Sequence, residues 1–250
     1  MPPKRQDARS SFMTSLDLPP SYRLMRLREA GDAVTHARMH AMELGAGTLI
    51  SVGRFNVAEF AVVLEPEEPL AMSWRALYAG MVALARAVAI IAPPATRIAI
   101  EWPNAIRVDG VVVGGGLLAW PEGAGDAVPP PWLVFGAIIR TTSVAGNAVV
   151  TSHLNVAPED EGFGSIDADR LVESFARHLL RVVDIWRDTG FSAVADEYLS
   201  YLACDQGTRK AIGNNGDLRV SCAGKPVRRR LLTRKIVTPS WLETRGREPR

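Results

Sequence analysis

The chain has 250 residues, 47% hydrophobic and 22% charged, with 21 Gly and 17 Pro, which is enough to bury one large core and excludes a peptide-sized module, a disordered chain or a fibrous repeat. A formal net charge of +2 gives no general attraction to polyanions. Two cysteines, Cys204 and Cys222, exclude the disulfide framework of a small secreted domain and point to a reducing compartment. The opening MPPKRQDARSSF has basic residues with no apolar run behind them, and no window reaches the uninterrupted apolar length of a membrane span, so a cytoplasmic protein is expected.

Residues 1–16 are polar and aperiodic and are expected to form a flexible arm. Val34, Ala37, Ala41 and Leu44 recur at helical spacing between Asp32, an N-cap, and Gly45, a stop. Thr48 to Val52 and Phe60 to Leu64 read as strands around a polar loop. The Ala- and Leu-rich stretch Leu70 to Ile91, ended by Pro93 and Pro94, predicts the main buried helix. Strands follow at 97–101 and on both sides of Asp109-Gly110, a tight-hairpin dipeptide, then at 132–141 and 147–151. Asp167 to Asp188 carries the clearest helical stripe, a second helix covers 193–202, and beyond Gly207 the pattern turns to short β pieces. Arg228, Arg229, Arg230, Arg234 and Lys235 crowd near the end with no interleaved aromatics, which predicts a solvated face or flexible tail and no nucleic-acid surface.

The informative stretch is EWPNAIRVDGVVVGGGLLAWP, residues 101–121. Three glycines, Gly114 to Gly116, inside a strand pattern are locally unfavourable, so something should need the room: a flat ligand against the backbone, or a close helix-to-strand approach. The stretch resembles the signature of the biotin/lipoate protein ligases, in which a WPND turn leads through a hairpin to a strand carrying Lys and a Gly-Gly-Ile-Leu run. Trp102, Pro103 and Asn104 match the turn, and Gly114, Gly115 and Leu117 the strand. The order of elements is similar over residues 20–205. GTLISVGRF with AEFAVVLEPEEPL, and LVESFARHLL with DTGF, are similar to a bacterial subgroup of ligase-like proteins.

The resemblance implies an α/β (α+β) fold of the class II synthetase and biotin–lipoate ligase type. Its mostly antiparallel mixed sheet would be packed by helices on one side over residues 17–206, with a small β domain and basic tail at 207–250. It also implies two steps on one site, in which an acid attacks ATP to give an acyl-adenylate and a carrier-domain lysine then takes the acyl group. ATP, Mg, biotin or lipoate held non-covalently, and a biotinyl or lipoyl carrier domain are the implied ligands and partners. Nucleic acid and membrane are not expected. The implied ligand residues are Gly53, Arg54, Trp102, Pro103, Asn104, Gly114, Gly115, Gly116 and Arg140.

The sequence departs from the family where the chemistry lies. Val112 holds the usual Lys position, Ala105 the Asp of the turn, and Glu101 a position where Lys often precedes the Trp. The only lysines are Lys4, Lys210, Lys225 and Lys235, so residues 17–206 contain none. Of the family's Arg/Gly loop only Gly53-Arg54 remains, and the strand resembling GIGINV reads Gly136 to Thr141, including Arg140. Arg54 or Arg140 could supply a cation, but a rigid guanidinium fork is no simple replacement for Lys. No catalytic residue is therefore assigned, and the alternative is a non-catalytic ligase fold that recognises an acylated carrier domain or another protein.

Other constellations are weaker. His36 and His40 have the i, i+4 spacing of zinc ligands but no Glu between them and no evident third ligand. His153 and Asp160 lie in a polar loop, and neither Cys204 nor Cys222 is near the motif strands as a thioester nucleophile would need to be. The glycines are not a phosphate loop, since no Gly-Lys-Ser/Thr follows.

Overall fold

A computed structural model describes residues 16–54, 57–141, 163–203, 207–236 and 240–243. In chain order the elements are β1 (Arg23–Leu27), α1 (Ala33–Leu44), β2 (Thr48–Val52), β3 (Val57–Leu64), α2 (Leu70–Ser73), α3 (Ala76–Ile91), β4 (Ile98–Glu101), β5 (Ala105–Val108), β6 (Val111–Ala119) and β7 (Leu133–Arg140). They continue as α4 (Phe163–Thr189), α5 (Phe191–Tyr201), β8 (Thr208–Ile212), β9 (Leu218–Cys222), β10 (Arg228–Arg230), α6 (Thr233–Ile236) and α7 (Ser240–Glu243). The predicted strand at 147–151, His153, Asp160 and Cys204 lie outside the described residues.

Strands β1 to β7 form one sheet in the order β1-β2-β3-β7-β6-β5-β4. Only β1 and β2 run parallel; the other pairs are antiparallel. β8 to β10 form a separate antiparallel three-stranded sheet. Asp109 and Gly110 both take positive φ, 46° and 84°, as a two-residue hairpin requires. β1 was not anticipated, because two arginines in RLMRL break its apolar alternation at the sheet edge.

Side chains alternate across each strand, so the sheet has two covered faces. On one, Phe60, Val62, Phe135 and Ala137 meet α3, α4 and α5 in the main core. On the other, Ile50, Ala61, Val63 and Val134 meet Ala33, Ala37 and Ala41 of α1. The helices therefore lie on both sides, not on one. The small residues of α1 bring it close to the sheet: a Cβ on Gly136 of β7 would stand 2.3 Å from Val34 Cγ2. Asp32 caps α1 by accepting the Thr35 amide at 2.7 Å, and Gly45 closes it at φ 70°.

The predicted helix from Leu70 to Ile91 is broken at Trp74 and Arg75. There Arg75, 6% exposed, donates to Met72 O at 2.9 Å and pairs with Glu68 at 2.6 Å. Its guanidinium also lies over the rings of Trp186 and Phe191, 5.4 and 4.8 Å from their centroids. The stretch is apolar and long enough by composition to cross a membrane, but 72% of that window is buried inside the fold, as in a core helix.

α3 packs on the sheet through Gly80, where a Cβ would stand 2.2 Å from Phe135 Cε2. Phe135 cannot retreat, being fully buried and stacked on Phe175 at 5.5 Å. Ala is favoured over Gly within a helix by about 1 kcal/mol, yet overpacking a filled core costs about 1–3 kcal/mol. Gly80→Ala is expected to lower the urea midpoint of unfolding; an unchanged or raised midpoint would mean that the core yields at this contact.

Candidate functional site

The Trp102-Pro103-Asn104 turn between β4 and β5 contains a cis Trp102–Pro103 bond and is braced from behind by two buried tyrosines. Trp102 Nε1 donates to Tyr78 Oη at 3.1 Å, and that hydroxyl donates to Gly216 O. Tyr198 Oη donates to Pro103 O at 2.7 Å. The two rings meet edge to face at 4.6 Å. Burial holds both phenols well above their ordinary pKa, so they remain neutral donors. Asn104, 1% exposed, turns inward: its Nδ2 donates to Gly116 O at 2.8 Å and its carbonyl accepts Gly116 N at 2.9 Å.

These bonds bring the turn and the glycine strand together, and each glycine has a separate reason. At Gly114, with φ 150°, a Cβ would lie 1.9 Å from Ile138 O. At Gly116 it would strike Phe135 and Met81 at 2.7 and 2.8 Å, which is the close helix-to-strand approach. At Gly115, on the opposite face, it would lie 2.0 Å from Asn104 O and 2.6 Å from Trp241 Nε1.

Trp241 of α7 was not anticipated. Only 6% exposed, it packs with Val57, Ala105 and Ile138, flanked by Val112 and Leu117. The chain thus lays a flat indole over the glycine strand, where the sequence leaves room for a flat group. Its signal in the sequence was a Trp-Leu pair in a largely polar terminus.

Gly53 is exposed and Arg54 is fully engaged. The Arg54 guanidinium donates to Glu29 O at 3.1 Å and Gly31 O at 2.7 Å and pairs with Glu59 at 2.6 Å. Glu59, 3% exposed, also accepts the Ala33 amide at 3.0 Å, so this charged residue inside β3 ties the start of α1 to the loop. Arg140 ends β7 opposite Val57, is exposed, and shares the sheet face of Ile138 two residues before it.

A cleft of about 640 Å³ opens on the other side of the turn, lined by Trp102, Asn104, Arg229, Arg230, Arg234 and Lys235 among others. The basic run is therefore not a loose tail: Leu232 and Ile236 anchor it in the main core. Arg229 is taken up by Asp217, at 2.5–2.6 Å. Burial alone would raise the Asp217 carboxyl, but bonds from the Leu232 amide, Arg229 and Asn215 hold it below its ordinary pKa.

Among the described residues no three potential metal ligands come together. His36 and His40 lie ring to ring at 4.6 Å, and His40 Nδ1 is 3.6 Å from Glu43. Cys222 stands on β9, 3.4 Å from Thr208 Oγ1 and away from the glycine strand. Around the turn the nearby carboxylate, Glu101, is paired with Arg107. These residues do not fit a protein-held magnesium ion, and one arriving with a nucleotide would be carried chiefly by its phosphates.

The sequence pattern of the biotin/lipoate A/B protein ligase family matches residues 18–200. The chain belongs to this family. No match is found among curated proteins. Among solved structures it is similar to a biotin protein ligase-like protein of unknown function from Silicibacter sp. TM1040, with 22% identity over 88% of this chain and 98% of that one and a TM-score of 0.70. The apo biotin protein ligase of Aquifex aeolicus, with 13% identity over 84% and 96%, gives a TM-score of 0.59. The same Aquifex aeolicus enzyme in complex with biotin and ATP gives 0.57, at 13% identity over 84% and 95%. At these identities the likeness is one of fold.

Removing one buried hydroxyl leaves its carbonyl partner unsatisfied, at a cost of about 1–3 kcal/mol. Tyr198→Phe is expected to lower stability by that amount in denaturant unfolding. The pH dependence has a definite sign. Phenols raised in the folded state contribute stability that is complete below the unfolded tyrosine pKa, about 10, and is lost as pH rises through the folded value. Stability should therefore fall above about pH 10, less steeply in Tyr198→Phe; parallel profiles would show that Tyr198 is not one of these groups.

Proposed function

We propose that this ligase-family protein acts in the cytoplasm and binds a small acyl acid of the biotin or lipoate kind, or its adenylate, on the Gly115 face of β6. One observation carries the reading: an apolar seat formed by Val57, Ala105, Ile138 and Leu117 beside a Cβ-free strand is covered by the indole of Trp241. Such a seat takes a flat, largely apolar group, and Arg140 on the same face offers a cation for a carboxylate. ATP-dependent transfer of the acyl group to a carrier-domain lysine would then be the activity.

A second reading, binding without catalysis and recognition of an acylated carrier domain, is favoured by two features. Residues 17–206 contain no lysine, and Arg54 already donates to two carbonyls and pairs with Glu59.

Titration calorimetry with biotin, lipoate and octanoate, with and without ATP, tests the binding, and pyrophosphate release in the same samples separates the two readings. A ligand must displace an indole whose burial is worth roughly 4–6 kcal/mol. Trp241→Ala is therefore expected to tighten binding by roughly tenfold or more. No binding by either protein would sink the proposed seat, and weaker binding in the variant would make the indole a wall of the site instead of its cover.

A further inference from the structure

We infer that a second cavity, between α4 and the Leu64–Leu133 end of the sheet, is a binding site for a small amphipathic cation of the arylalkylamine kind. It encloses about 540 Å³, within the range of small-ligand sites. Tyr22, Leu64, Leu133, Leu179, Val183 and Trp186 form its apolar walls. The cavity is separate from the seat on β6. β3 and β7 pair from Val57 and Arg140 at one end to Leu64 and Leu133 at the other, so the two places lie roughly 23 Å apart along the strands. They also use opposite faces of the sheet: Leu133 belongs to the main core, Val57 and Ile138 to the cluster under Trp241.

The walls follow from how α4 leaves the core. Its apolar stripe is buried at Leu171, Phe175 and Leu179, then opens at Val183, which is 41% exposed. Apolar surface wetted inside a concave wall favours an apolar occupant. The aromatic walls are held in place before any ligand arrives, which lowers the ordering cost of binding. Tyr22 Oη donates to Ala176 O at 3.1 Å, and Trp186 packs on Phe191 at 5.4 Å with the Arg75 guanidinium over its ring.

The charge at the mouth selects the sign of the occupant. Among the described residues the lining holds three glutamates, Glu65, Glu67 and Glu68, against one cation, Arg187. Arg187 is met by Asp184 at 2.9 Å and Asp188 at 3.5 Å, and Glu68 by Arg75 at 2.6 Å. Arg23 on the neighbouring β1 is taken up by Leu44 O and Thr48 Oγ1. Glu65 accepts the Ala46 amide at 3.1 Å, which leaves its charge in place, and Glu67 has no ion-pair partner among the described residues. The rim is therefore net negative beside low-dielectric walls, which strengthens its field. An amine is attracted there and a carboxylate repelled, so the acids proposed for β6 are poor occupants. The inference rests on this cavity alone and stands whether or not an acyl acid binds β6.

The test is calorimetry on the full chain with tryptamine, indole-3-propanol and indole-3-propionate, one ring system carrying a cationic, a neutral or an anionic end. Tryptamine should bind about tenfold or more tightly than the alcohol and weaken with salt, and the propionate should not compete with it. The double variant Glu65→Gln, Glu67→Gln should lose about tenfold in affinity for tryptamine and leave that for the alcohol unchanged. Val183→Trp, which fills the mouth from an exposed position, should abolish binding. Ile90→Trp, at an exposed apolar position of α3 outside the cavity lining, should stay near the parent. Circular dichroism of each variant establishes that the fold is retained. An absence of tryptamine binding, or equal losses in the two Trp variants, would overturn the site. Equal affinity for the three probes would overturn the assignment of a cation. Displacement of tryptamine by an amphipathic basic peptide at lower concentration than by tryptamine itself would overturn the small-molecule assignment.

Discussion

The hydroxyl of Tyr78 lies at the junction of three parts of the molecule. It sits on α3, the most deeply buried helix, accepts the indole N–H of Trp102 and donates to the carbonyl of Gly216 beyond β8. A buried hydroxyl without partners is costly, and here one group satisfies both requirements across the core helix, the turn and the C-terminal sheet. Tyr198, packed against it, does the same for Pro103 O. The turn therefore cannot rearrange without leaving polar groups orphaned in the core. Because Asn104 also folds inward onto Gly116, the turn presents backbone and an indole face to its surroundings. Charged chemistry beside it has to be supplied by other elements.

The glycine run follows from the same geometry. Gly114 is needed where β6 presses on the backbone of β7, and Gly116 where Phe135 and Met81 fill the main core. Only Gly115 faces the side of the sheet on which Trp241 lies. One run of three small residues thus serves two faces: on one it thins the sheet for α3, and on the other it leaves a shallow apolar seat. Substituting the outer two probes packing, whereas changes at Trp241 probe the seat with the strand left intact.

Much of the architecture was legible because local signals and tertiary packing agreed. Asp32 and Gly45 bounded α1, Asp109-Gly110 set the β5–β6 hairpin, and the stripe ending in Trp186 traced α4. The misses share a cause: each depends on a partner distant in sequence. RLMRL becomes a strand only as a parallel edge to β2. The interruption at Trp74 and Arg75 places Arg75 against Trp186 and Phe191, more than a hundred residues away. The apolar face of α1 reads as an ordinary amphipathic stripe, and nothing local tells which side of the sheet it covers. In the candidate site, the link between Trp102, Pro103, Asn104 and the glycines was readable as a motif. Its tyrosine braces, the Arg54–Glu59 pair and the Trp241 cover were not, since each joins residues with no recognisable spacing.

Charge is unevenly distributed around the turn. Arg54 is paired with a carboxylate that is itself buried, so its charge is largely spent on folding. Arg230, Arg234 and Lys235 stand beyond the turn, on β10 and α6, while Arg140 is exposed at the end of β7 on the face of Ile138. Asn104 belongs to both neighbourhoods: its carbonyl lies against Gly115, and the residue lines the basic cleft. A change at Asn104 would therefore disturb both the packing on the glycine strand and the wall of the cleft, which is why the residue is buried and bonded on both its backbone and its side chain.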